Sequence, residues 1–178
     1  MTTDEGIRES TYEKVASLKP SFIEAEKGGK VTAANSSQIT DGSSAILIMS
    51  EEKAKQLGLN PRARFVNFAL AGADPRLMLT APIPATAKVL ERAGMKIDQM
   101  DIVEINEAFA SVVLAWEKEF HPDMNKVNPN GGAIALGHPL GCTGARMTAT
   151  LLYEMKRRKA RYGVVSMCIG GGMGAAAV

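Results

Sequence analysis

Cysteine is scarce in this chain of 178 residues: Cys142 and Cys168 are the only two, and the 25 residues between them match no zinc-ligand spacing and no disulfide scaffold. Charge of one sign is also missing. The net charge of +2 gives no reason to expect nucleic acid or an anionic membrane as a main partner. The N-terminus carries Asp4 and Glu5 where a secretory leader needs a basic and then an apolar stretch, so an intracellular, cytoplasmic location is expected and the Asn35-Ser36-Ser37 sequon is read as idle. Long hydrophobic runs are absent: the uncharged stretch Gly163 to Val178 has 16 residues including five glycines, too short and too glycine-rich for a membrane span. Neither a low-complexity linker nor a 20 to 50 residue repeat interrupts the chain.

With 46% hydrophobic and 22% charged residues, the composition is that of a globular protein that buries roughly 70% of its unfolded surface. The pattern alternates strands and helices. Helices are expected over Thr11 to Leu18, over Glu51 to Leu57 with Ser50 as N-cap and Gly58 as stop, and from near Pro84 to Gly94. Two more are expected over Ala108 to Phe120, with Phe109, Val112, Val113, Trp116 and Phe120 inward, and over Gly144 to Arg158. Strands are expected at Ala45 to Met49 (buried), Arg64 to Ala71, Ile102 to Ile105, Gly163 to Cys168 and Gly174 to Val178. This order implies an α/β fold in layers around a mixed five-stranded sheet.

Ten of the 17 glycines fall between Gly131 and Gly174, which marks that third for close backbone approaches and for chemistry. Two motif readings fail there. Gly170 to Ala175 has the letters of a dinucleotide fingerprint but no following helix to meet a pyrophosphate. Gly132 to Pro139 nearly spells a P-loop, with His138 where lysine must neutralise phosphate and Pro139 where a hydroxyl must reach magnesium. No metal and no bound cofactor is therefore expected. Three segments remain: Asn106-Glu107-Ala108-Phe109-Ala110, the glycine-rich run from Gly131 through His138 to Arg146, and Cys168-Ile169-Gly170-Gly171-Gly172. His138 lies in a glycine-rich turn before a helix, where an imidazole can activate a thiol and donate to an oxyanion. Cys168 ends an apolar strand and faces backbone N–H groups. His121 has no such context and reads as a surface or capping residue, and the basic cluster Lys156 to Arg161 reads as a solvated helix end.

Together the three segments resemble the C-terminal half of a thiolase, and the likeness runs from Asp4-Glu5 and Arg8 through Thr80 to Ala85 to the end of the chain. The resemblance implies the thiolase C-terminal fold across residues 1–178, with the nucleophile-bearing N-terminal domain and the loop domain largely absent, and acyl transfer to CoA. It implies that Cys168 is the general acid and base, that His138 and a water held by Asn106 form one oxyanion hole, and that the N–H of Gly170 contributes to a second. Glu107 would wall the site. Ala108 and Phe109 resemble pantetheine contacts, while Arg8 and the loop from Asn67 to Asp74 match regions near the CoA nucleotide and pantetheine. The implied partners are CoA, acyl-CoA, an N-terminal thiolase half and further copies in an oligomer. Nothing in the sequence matches the segment carrying the family's nucleophilic cysteine. Cys142, near a helix start, is a weak substitute for it, and a non-catalytic assembly module is the rival reading. A ketoacyl synthase is a poorer match, because it arranges a different acid-base set around its nucleophile.

Overall fold

A computed structural model describes residues 2–4 and 6–178; Glu5, part of the N-terminal likeness, lies outside the described residues. The elements run α1 (Tyr12–Ala16), α2 (Glu51–Gln56), β1 (Phe68–Gly72), α3 (Pro82–Ala93), β2 (Ile102–Ile105), α4 (Ala110–Phe120), α5 (Ala133–Leu136), α6 (Thr143–Arg158), β3 (Gly163–Ile169) and β4 (Met173–Ala177), with short 3₁₀ turns between them. Helix ends follow local chemistry. The Thr11 and Ser50 hydroxyls cap α1 and α2, prolines sit in the first turn of α3, and Gly94 ends it in the left-handed region.

The sheet is mixed, in the order β1-β4-β3-β2: β2 and β3 are parallel, the other pairs antiparallel. Among the described residues it has four strands rather than the five expected. Ala45 to Met49 is irregular, not a buried strand: Leu47 is 78% exposed and Ile48 64%. The physical reason is that an apolar run becomes a strand only when another strand completes its hydrogen-bond ladder, and none among the described residues pairs with it. Beyond β2 the sheet gains, among the described residues, only the single bridge Val103 to Val127.

Helices cover both faces. On one side α3 and α4 bury Ala85, Val89, Leu90 and Trp116 against Ala69, Val103, Val164 and Ala176. On the other, Met147 and Leu151 of α6 pack on Ile102, Val165 and Ala177. A buried polar chain ties the first side together: Trp116 Nε1 donates to Thr86 Oγ1, which lies 3.0 Å from Ser166 Oγ. The layers leave the carboxyl ends of the parallel strands β2 and β3 facing the start of α6, the edge at which open α/β sheets place their ligands.

Candidate active site

Asn106 follows directly on β2 and continues its pairing, its N–H donating to Ser166 O at 3.0 Å. This register sets it alongside Cys168, two residues further on in β3. The Asn106 side chain is 1% exposed, and its Nδ2 lies 3.3 Å from His138 Nε2. Asn106 thus stands between a histidine and a cysteine that are 30 residues apart in sequence.

His138 enters from the turn between α5 and α6. Gly137, at φ +91°, makes the bend, and the His138 N–H donates to Gln38 O. The other ring nitrogen, Nδ1, is 2.7 Å from Thr143 Oγ1 at the first position of α6. Burial, helped by the Arg146 charge, holds the ring below its ordinary 6.5, so it is neutral at pH 7.

Cys168 is 7% exposed and packs with Ala108, Val112, Leu79 and Phe109. Burial pushes its thiol up from the ordinary value, against a backbone hydrogen bond and the Asn106 amide, which favour the thiolate. A thiol so placed keeps its proton at neutral pH and is equipped to give it up as an acid. Gly170, exposed like Gly171, opens the turn of three glycines between β3 and β4; Gly172 is buried, and Gly171 and Gly172 both take φ +83°, a conformation side chains resist.

Behind these groups lies a polar layer. Glu107 accepts from Asn128 Nδ2 and from the Ile134 N–H, clamping the end of β2 to α5. A Cβ on Gly132 would sit 2.0 Å from the Glu107 carboxyl carbon, so that approach requires glycine. Glu104 on β2 is 1% exposed, its Oε1 has no partner, and burial raises it to about 7, with Arg146 opposing and Glu107 adding to the shift.

Asn106, His138, Cys168, Ala108 and Phe109 are thus brought together, and Gly170 stands at their edge. Two of the residues matched to CoA contacts lie elsewhere. Asn67 pairs with Val178 at the opposite end of β4 from Cys168, and its side chain bonds the Phe68 N–H and Arg92 O. Arg8 is exposed on the irregular segment ahead of α1. Cys142 is buried, its thiol donating to Ser44 Oγ at 3.3 Å, and both cysteines are free. His121 is an exposed left-handed C-cap of α4. Sequence reasoning passed over Thr143, Glu104 and Arg146; the signal available was a hydroxyl five residues after His138, at the start of a helix.

The family model for the thiolase C-terminal domain matches residues 59–178, and that for the thiolase N-terminal domain matches residues 1–52. The chain belongs to the thiolase family. It is 57% identical over 169 residues to the steroid 3-ketoacyl-CoA thiolase of Mycobacterium tuberculosis, covering 95% of this chain and 40% of that one. To an acetyl-CoA acetyltransferase of Syntrophomonas wolfei it is 51% identical, over 99% of this chain and 44% of the relative. Among solved structures, the Bacillus anthracis acetyl-CoA acetyltransferase superposes with a TM-score of 0.89 at 51% identity, over 94% of this chain and 42% of that one. Human mitochondrial 3-ketoacyl-CoA thiolase in complex with CoA superposes equally well at 43% identity, over 99% and 44%. The chain spans about two fifths of the length of the thiolases it matches.

Proposed function

We propose that this chain supplies the acid-base and oxyanion side of a thiolase site, for 3-ketoacyl-CoA thiolysis or the reverse Claisen condensation, and that the attacking cysteine comes from an N-terminal thiolase segment outside residues 1–178. The observation that carries the reading is the meeting of His138 and the Cys168 strand at the buried Asn106. In the cleavage direction the partner's cysteine sulfur attacks the 3-keto carbon, its proton passing to His138 Nε2. The C2–C3 bond breaks, and its electron pair goes to the acetyl-CoA enolate. Cys168 protonates that enolate, and the Cys168 thiolate then takes the proton of the incoming CoA thiol as its sulfur attacks the acyl-enzyme; the acyl–cysteine bond breaks, and the departing cysteine sulfur recovers its proton from His138. His138 and a water on Asn106 stabilise the thioester oxyanion, and the N–H of Gly170 serves the second.

On this reading Ala108 and Phe109, which pack beside Cys168, contact pantetheine, and Asn67 and Arg8 meet CoA through parts of the ligand distant from the thiol. CoA and acyl-CoA act as substrates, with no resident cofactor, and the working form is an oligomer in the cytoplasm. The test is acetoacetyl-CoA thiolysis by the chain alone and mixed with a separately expressed thiolase N-terminal half. Turnover is expected only in the mixture, and replacing Cys168 by alanine there should cost about 10²–10⁴-fold in kcat. A complex that forms but turns nothing over would favour the assembly module instead.

A further inference from the structure

His138 is neutral at pH 7 and so carries a single ring N–H; which nitrogen holds it decides whether the ring meets the site as a base or as a donor. Its partners on both sides answer the question. Thr143, with no exposed surface, places its Oγ1 2.7 Å from Nδ1 and 3.0 Å from the carbonyl oxygen of Pro139. A carbonyl can only accept. With its hydroxyl hydrogen on that carbonyl, Thr143 is left an acceptor toward the ring and Nδ1 donates. The same carbonyl receives the N–H groups of Cys142 and Thr143 at 2.8 and 3.0 Å, which hold it in place. At the far side of the ring, Asn106 directs Nδ2, a donor, at Nε2. With Nδ1 donating, Nε2 presents its lone pair to that amide.

We propose that Thr143 is a positioning residue that locks His138 in the Nδ1–H tautomer, so that Nε2 faces the site as the proton acceptor. What that lone pair is for rests on the acyl-transfer reading above; the tautomer itself does not. On that reading the proton of the attacking thiol moves to Nε2 while Nδ1–H stays on Thr143, and the new Nε2–H is then the donor to the oxyanion. One ring thus serves as base and then as donor without turning. The mirror arrangement would have Thr143 donating to Nδ1 and Nε2–H donating to an Asn106 amide turned end for end. It would leave no lone pair toward the site.

The chain contains just two histidines, which makes the test direct. The chain is labelled with ¹⁵N-histidine, and its two-bond proton-nitrogen spectrum is recorded at pH 7.5, with His121→Asn assigning the resonances. The expected result is a pyrrole-like Nδ1 and a pyridine-like Nε2 for His138. Thr143→Val should draw the two nitrogen shifts toward each other as both tautomers become populated, and Thr143→Ser should restore the separation. A pyrrole-like Nε2 in the unmodified chain, or unchanged shifts in a folded Thr143→Val, would overturn the proposal. If the valine variant does not fold, the unmodified and serine spectra still decide. None of these readouts needs turnover, so a failed reconstitution would count against the acyl-transfer reading and leave the tautomer result standing.

Discussion

Glu104 offers the sharpest physical test, because a carboxyl buried to 1% exposure with an unpartnered oxygen titrates near 7 instead of near 4.5. Its folded-state affinity for a proton exceeds its unfolded one, so its contribution to stability is fully present below pH 4.5 and is lost as pH rises through about 7. The difference between those values, at about 1.4 kcal/mol per pH unit, corresponds to a loss of roughly 3 kcal/mol overall, of which about 2.5 kcal/mol falls between pH 5 and pH 8. Glutamine has nearly the same shape and stays neutral. Glu104→Gln should therefore match the parent at pH 5 to within about 1 kcal/mol and exceed it by about 2–3 kcal/mol at pH 8. The depressed His138 acts in the opposite sense, its contribution being lost as pH falls below its ordinary 6.5; it is common to both proteins and cancels in the difference. Urea unfolding at half-unit pH steps supplies the comparison, provided the denaturant slope is the same for the two proteins. A glutamine variant that keeps the parent's pH dependence, or is less stable than it at pH 8, would refute the reasoning.

Two further substitutions probe what holds the site. Gly132→Ala should push the Glu107 carboxylate off the Ile134 N–H and Asn128, costing about 1–3 kcal/mol by thermal unfolding; a variant as stable as the parent would show that the clamp gives way freely. Thr86→Val leaves the indole N–H of the fully buried Trp116 without its acceptor and should also cost about 1–3 kcal/mol; a neutral effect would mean that the chain to Ser166 contributes nothing net.

The candidate site was legible in the sequence to the extent that its residues lie in short glycine-rich or strand-terminal motifs. Asn106, His138 and Cys168 could be named because the three motifs that carry them together resemble a thiolase; glycine-rich and strand-terminal placement alone would fit a loop histidine and a structural cysteine equally well. Thr143 was missed because its importance comes from distances to Nδ1 and to the Pro139 carbonyl, and a threonine at the start of a helix is otherwise ordinary. Asn67 was named from a resemblance to a region near CoA, and its distance from the thiol site became visible only from the antiparallel register with β4, which sets it at the sheet end away from Cys168.

What the sequence by itself determined are the features set by neighbouring residues: the Ser50 cap, the proline start and glycine stop of α3, the inward stripe of α4 and the apolar strands β2 and β3. Each depends on hydrogen bonds and side-chain spacing within a few residues. Only the tertiary structure decided that Ala45 to Met49 joins no ladder, that β2 and β3 run parallel, and that their carboxyl ends bring Asn106 between His138 and Cys168. Those outcomes depend on partners tens of residues away. An apolar run does not specify which strand completes its hydrogen bonds, and a reactive side chain does not specify which others the packed layers set beside it.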